Sequence, residues 1–451
     1  MSTQTTILAP CGMLGYGIPE RSLIEGMKRK PHAIGVDAGS TDPGPHYLGV
    51  GKAFTNRVAY KRDLALVLDA AKQASIPVLI GSAGGAGGRP HLDYTVEVFR
   101  EICQEKDYHF RVATIGAEID KDTLKAKRRD GKILPLDTDT IPSEADFDDC
   151  VRVVGQMGYE PFMKALEMGV DVVIAGRAYD PAPIGALPMM QGYDPALVIH
   201  MGKILECGGA AAYPRAGSDA LLGWVDEHAF YVEPPNPDKI CTVASVAAHT
   251  LYEKSDPYKL QLPGGTLDLN HAVFEQHDDR TVKVTGSQFV RSVQNTIKLE
   301  GVRLAGYRTI TIAGARDPQL IAHVDEYMAN IRERVSEVYP PDLAYQLLFH
   351  VYGKNGVMGP LEPQKHVSSH ELCFLIEVIA DTADLSASVL ALARSNALHA
   401  TYPGRRAIAG NLAFPFSPSD IPVGEVYEFN VYHLCEVDDP CELFPIETFE
   451  V

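Results

Sequence analysis

The first half of the chain alternates short apolar, often β-branched runs with amphipathic stretches of ten or more residues, and this limits the fold more than any other feature. TTILAP, HAIGVDAGS, IPVLIGSAGG, HFRVATIGAEI and VDVVIAGRAYD read as strands, while ERSLIEGMKRK, RDLALVLDAAKQA and HLDYTVEVFREICQEK read as helices. Strands without internal polar alternation are buried on both faces, and parallel strands need helical crossovers. The pattern therefore predicts a mostly parallel α/β sheet with helices on both faces over residues 1–228, with an incomplete barrel the alternative that the same pattern allows. Ser143 to Met168 reads as helical, and LVIHMGKILECGG reads as a short strand entering a helix. Ligands of such sheets sit at the carboxyl ends of the strands.

The alternation stops in the Pro-rich VEPPNPDK, so a second domain is expected over 229–451. Its later part runs strand (YRTITIAGA), helix, strand (YQLLFHVYG), strand (ELCFLIEVIAD), helix, strand (VYEFNVYHL). That order predicts an α+β domain with a ferredoxin-like βαββαβ unit, acting as a lid or an oligomerisation layer. A homo-oligomer is expected.

Charge narrows the partners. Lys and Arg total 41 against 59 Asp and Glu, a net charge of −18. Such a surface repels phosphate backbones and anionic lipid, so neither nucleic acid nor membrane is expected. The eight cysteines form no CxxC pair, and the N-terminus lacks a basic region followed by an apolar run. Both features point to reduced thiols and a cytoplasmic protein.

Candidate chemistry clusters at the predicted strand ends. GSAGGAGG (81–88) lies between a strand and a helix, where backbone amides can face an anion. Ser82, Gly84 and Gly85 are the candidate substrate-binding positions there, and a close-packed turn is the structural alternative. The segment lacks a P-loop lysine, so no nucleotide is predicted. GVDAGSTDPGP supplies Asp37 as a base or metal ligand and Ser40 as a substrate contact or a cap. TIGAEI supplies Glu118. IAGRAYDPAP supplies Arg177, a guanidinium suited to a carboxylate, and Asp180, which also suits a helix cap. HMGKILECGG places His200, Lys203 and Cys207 on one helix face, with Lys203 a candidate acid or base and Cys207 a candidate nucleophile or packed thiol. Asp37 and Asp180 would be the ligands of a divalent ion such as Mg²⁺, if one is used. In the second half AHTLYEKSDPYKLQLPGG carries His249, Tyr252 and Asp256, and two further segments carry Lys354, Arg394, Asn396, His399, Arg405 and Arg406, whose clustered cations would close over an anionic substrate or pair with the excess carboxylates at an interface.

Taken together, GVDAGSTDPGP, GSAGGAGG, IAGRAYDPAP, HMGKILECGG, AHTLYEKSDP and LPGGTLDL resemble the acyclic terpene utilisation AtuA family. The resemblance spans about residues 6–275 and is weaker beyond. It implies a cytosolic catabolic protein acting on branched acyclic acids, often as coenzyme A thioesters, and it supplies no catalytic residue. Three functions follow as expectations. The first is a hydro-lyase acting on a small carboxylate or its CoA thioester, with Asp37 and Glu118 as acid and base. The second is a thioester or amide hydrolase. The third is a non-catalytic subunit of a catabolic complex.

Overall fold

The structure, a computed structural model, describes residues 4–136, 139–215, 217–251, 256–340 and 342–451. Five parallel strands form its centre, in the order Thr5–Ala9, Ala33–Asp37, Val78–Gly81, Val172–Ala175, Arg111–Ile115. Residues along them alternate between two cores. Leu8, Ile34, Val78, Ile80, Val172 and Ile174 pack on one face with helices Arg57–Ala74 and Arg89–Lys106. Ile7, Ala33, Leu79, Val173 and Ala175 pack on the other with Ala182–Met190 and Pro195–Leu205. Side chains of period two, apolar at both phases, give a sheet covered on both sides.

The sheet is open and longer than the alternating pattern predicts. Leu221–Val225, Phe230–Glu233, Val282–Thr285 and Val273–Gln276 extend one edge antiparallel, and Ile446–Glu450 adds antiparallel to Arg111–Ile115 at the other. The expected division at residue 228 therefore differs from the observed one. Two compact units are present, Met1–Arg303 with Phe429–Val451, and Leu304–Glu428. Residues 229–303 stay with the first because their strands hydrogen-bond onto its sheet.

Two local expectations are corrected. Ser143 to Met168 is not one helix: Glu144–Asp149 and Glu160–Glu167 flank a strand, Arg152–Gln156, which pairs with Lys298–Val302. LVIHMGKIL is helical throughout, within Pro195–Leu205, with Asp194 accepting from Ala196 N as the N-cap. The buried apolar run resembles a strand, but Asp-Pro at its start is a helix-opening signal.

The second unit follows the predicted order. The strand Asn295–Ala315, whose later part lies in this unit, is followed by helix Val324–Val338, strands Tyr345–Tyr352 and Leu372–Ala380, helix Ala383–His399 and strand Asp420–Val437. The second, third, first and fourth of these strands lie side by side in that order, which is the ferredoxin-like arrangement. Its core joins Tyr327, Ile331, Phe374, Ile376, Val389 and Ala393. All eight cysteines are free thiols. No helix among the described residues is long and apolar enough to cross a membrane.

Candidate active site

Because the central strands are parallel, residues just past their carboxyl ends share one edge, and Asp37, Ser82, Glu118 and Arg177 all lie there. They do not form one ligand site. Arg177 is buried and points inward. Its Nε donates to Glu300 Oε2 at 2.9 Å, and its Nη1 donates to Ala178 O (2.7 Å), Ser82 Oγ (3.2 Å) and Asp180 Oδ1 (3.2 Å). Burial works against its charge, but the Glu300 and Asp180 carboxylates outweigh it and hold the guanidinium protonated. Glu300, fully buried, also faces Lys298 Nζ at 2.9 Å. Burial alone would raise its carboxyl, and the two cations pull it below the usual range. Arg177 thus joins an internal Lys298–Glu300–Arg177 ion cluster and is no open carboxylate clamp.

The glycine loop is likewise turned into the protein. Ser82 N, Ala83 N, Gly85 N and Gly87 N donate to Gly176 O, Ala175 O, Ser82 O and Ala83 O, while Gly84 O accepts from Phe54 N. Those four amides are therefore committed to backbone carbonyls. The helix that follows does carry an anion at its first turn, as a strand–glycine–helix order favours. The anion is Glu118, whose Oε2 accepts from Arg89 N at 2.8 Å, with Arg152 Nε at 3.9 Å. Glu118 is accordingly a capping group, and the loop is a packing device. Gly87 makes this plain. Its φ is +68°, and an added Cβ would lie 2.1 Å from Arg177 N and 2.5 Å from Arg177 Cα. Gly87→Ala is expected to cost about 2–4 kcal/mol from left-handed strain and overpacking. A denaturant titration checks this, and an unchanged midpoint would contradict the close packing.

A different group does converge. A cavity of about 410 Å³ is lined by Asp37, Ser40, Asp42, Asp180, Glu206 and Cys207, with Met13, Tyr16, Pro43 and Phe54 as apolar wall. Asp37 ends its strand and is 7% exposed. Its Oδ2 accepts from Gly39 N at 3.0 Å, and its Oδ1 is buried with no hydrogen-bond partner among the described residues. Gly39 approaches so closely that a Cβ there would sit 2.5 Å from Gly85 Cα. Burial, then the nearby Asp180 carboxylate, push the Asp37 carboxyl well above its ordinary value, while Arg177 opposes them. Asp180 is raised too, chiefly by burial, against the pull of Arg177 and Lys203. The charge of Asp180 thus bears on the protonation of Asp37, and the two carboxyls titrate as an interacting pair. Ser40 Oγ accepts from Asp42 N at 3.1 Å, so the Ser40–Asp42 turn shapes the rim.

The remaining candidates divide. Lys203 donates to Glu206, which lines the cavity. Cys207 lies beyond the end of helix Pro195–Leu205, so it does not share a helical face with His200 and Lys203, yet it reaches the cavity wall. His200 is buried, with Nδ1 on Ser287 Oγ (2.8 Å) and Nε2 on Thr250 Oγ1 (3.0 Å), a structural histidine. His249 Nε2 donates to Ile204 O, and Asp256 closes a turn on Tyr258 N and Lys259 N. Tyr252 lies outside the described residues. In the second unit Arg394 pairs with Asp420, Arg405 donates to His399 O and Ala409 O, and Lys354 pairs with Asp325. Asp42 and Glu206 were not expected in the site. Glu206 directly precedes Cys207, and its place follows from the end of the helix, which the strand-like reading of that run obscured. As for a metal, the described residues contain no group of three or more His, Cys, Asp or Glu arranged to hold an ion, and Asp37 and Asp180 alone would supply two ligands.

The model of the family described as Acyclic terpene utilisation family protein AtuA matches residues 52–213 and 228–417. The match takes in Asp180, Glu206 and Cys207 and reaches well into the second unit, whereas Asp37 and Ser40 precede it. No curated protein and no solved structure is significantly similar to the chain.

Proposed function

We propose, since the chain belongs to the acyclic terpene utilisation family AtuA, that it is a catabolic acid–base enzyme that adds or removes water on a branched acyl thioester. The observation that carries this reading is Asp37, a residue of the cavity wall whose buried Oδ1 has no hydrogen-bond partner among the described residues and whose carboxyl is raised by burial and by Asp180. Elimination of water needs a base for the proton alpha to the carbonyl and an acid for the departing hydroxyl. A carboxyl pair sharing one proton offers both. One member takes the α-proton, the C–O bond breaks as the C=C bond forms, and the other gives its proton to the hydroxyl, which leaves as water. Asp37, whose charge burial and Asp180 both disfavour, takes the second role, and Asp180, whose carboxylate Arg177 and Lys203 favour, takes the first, since Glu118 is committed to capping a helix.

The lining also favours the thioester over the free acid in this reading. Its described residues include four carboxyl groups and neither lysine nor arginine, with Arg177 paired to Asp180, Lys203 paired to Glu206, and Asp42 without such a cation among the described residues. A free acid would bring a further negative charge, and one like pair about 4 Å apart costs about 4 kcal/mol at an effective dielectric constant near 20, roughly a thousandfold in affinity. A thioester presents a neutral acyl group, and Met13, Tyr16 and Phe54 suit a branched chain.

Incubation with branched 3-hydroxyacyl- and 2-enoyl-CoA thioesters and with the matching free acids tests the proposal. The enoyl chromophore and α-deuterium uptake from heavy water are the readouts. Turnover of thioesters with little of the acids is expected, and neither turnover nor exchange on any thioester would refute it. Hydrolysis is the second reading because Cys207 is on the same wall. In the same assay it would release free coenzyme A thiol.

A further inference from the structure

The second unit contains a cavity of about 510 Å³ whose charge is opposite to that of the chain. Arg316, Lys354, Lys365, His366 and His370 line it, and Asp325 is the one carboxylate among its described lining residues. Three permanent cations less one carboxylate leave a local excess of +2, before any histidine protonates, in a chain whose net charge is −18.

The cations are positioned by the fold. Arg316 directly follows the strand that ends at Ala315, and its Nη1 donates to His370 O at 2.8 Å, fixing the guanidinium at the cavity edge. Lys354 is held by Asp325, in the first turn of helix Val324–Val338. Lys365 Nζ donates to Glu362 O at 2.6 Å. The segment bearing Lys365 and the two histidines is tied down where Ser369 Oγ donates to Gly353 O at 2.7 Å. Each cation keeps further N–H groups beyond these contacts, since a guanidinium has five and an ammonium three.

Like charges held together with a single carboxylate between them repel one another, and Asp325 is that carboxylate among the described lining residues. We propose that the Arg316–Lys365 cavity is a binding site for a phosphate-bearing small molecule. A phosphate group carries about −1.5 to −2 charges near neutral pH and three acceptor oxygens. It therefore matches the excess of +2 and can take donors from several sides, which a monocarboxylate cannot. Arginine and lysine are the usual phosphate donors, the first bidentate and the second as a point charge. This site does not depend on the chemistry proposed for the acidic cavity.

Isothermal titration of the full chain with inorganic pyrophosphate, with citrate as the non-phosphate polyanion, tests the proposal. Saturable pyrophosphate binding that weakens as sodium chloride is raised is expected. The Arg316→Ala/Lys365→Ala double variant should bind about tenfold or more weakly, while Arg21→Ala, which removes an exposed cation in the first unit, should bind like the parent. If the double variant melts early, Arg316→Gln and Lys365→Gln singly give the same comparison. Absence of saturable binding, equal affinity for citrate, or equal binding by the charge-deleted variants would overturn the proposal.

Discussion

Replacing Arg177 with alanine is expected to cost about 3–5 kcal/mol of stability, and in a marginally stable chain that is a large share of the total. The loss does not come from substrate. Removing the guanidinium leaves Glu300, fully buried, with Lys298 as its remaining cation, and frees Ser82 Oγ, Ala178 O and Asp180 Oδ1 of a donor. A buried carboxylate deprived of a partner either protonates or draws in water, and both erode the fold. Arg177→Lys keeps the charge but not the fork, so it should fall between the parent and Arg177→Ala. Thermal and denaturant melts of the three proteins decide the matter. A parent-like melt for Arg177→Ala, with ligand binding lost, would restore the guanidinium to the role of an anion clamp.

That contrast marks where the sequence is informative. The central sheet is legible because Val78–Gly81 and Val172–Ala175 are apolar at both phases of the strand period, which a two-sided parallel strand alone requires. The ferredoxin-like unit is legible from its element order, since its two helices, Val324–Val338 and Ala383–His399, are long and separate four apolar strand runs. Arg177 is not, because its partner Glu300 lies 123 residues away and no local pattern links them. The glycine loop shows the same limit. Strand, glycines and helix were readable, and so was the preference for an anion at the helix start. That the anion is Glu118, from past the end of the next strand but one, depends on sheet order, which sets Val172–Ala175 between the strands that lead to Ser82 and Glu118. Arg152–Gln156 was hidden for a related reason, as five residues between two helices become a strand only through their pairing with Lys298–Val302. The place of Asp37 on the cavity wall was legible because it is the polar residue that ends an apolar strand, a signal that needs no partner. Its neighbour Glu206 sits at the C-cap of a helix whose apolar start reads as a strand.

Asp37→Asn is expected to lower turnover by about 10²–10⁴, the usual contribution of one positioned acid or base, while the fold survives. The amide has the same shape and can still accept from Gly39 N, but it neither takes nor shares a proton. Stability should not fall, because the native carboxyl is held where burial and Asp180 both disfavour its charge. The sign follows from linkage. A carboxyl whose folded pKa is raised binds more protons in the native than in the unfolded chain, from the unfolded value of about 3.9 up to the raised one. Its contribution is therefore most favourable below that window and is lost as pH rises through it. The parent should lose stability with rising pH over this window, and Asp37→Asn should lose less, with a melt at neutral pH equal to or above that of the parent, as is common where a catalytic group is held at a cost to the fold. Activity should be bell-shaped in pH, failing on the acid side when the pair holds two protons and on the alkaline side when it holds none. Asp180→Asn should flatten both limbs. Melts and initial rates of the three proteins across a pH series check these signs together. Full activity in Asp37→Asn would remove the carboxyl pair from the chemistry, and a melt well below the parent's at neutral pH would make Asp37 a structural residue.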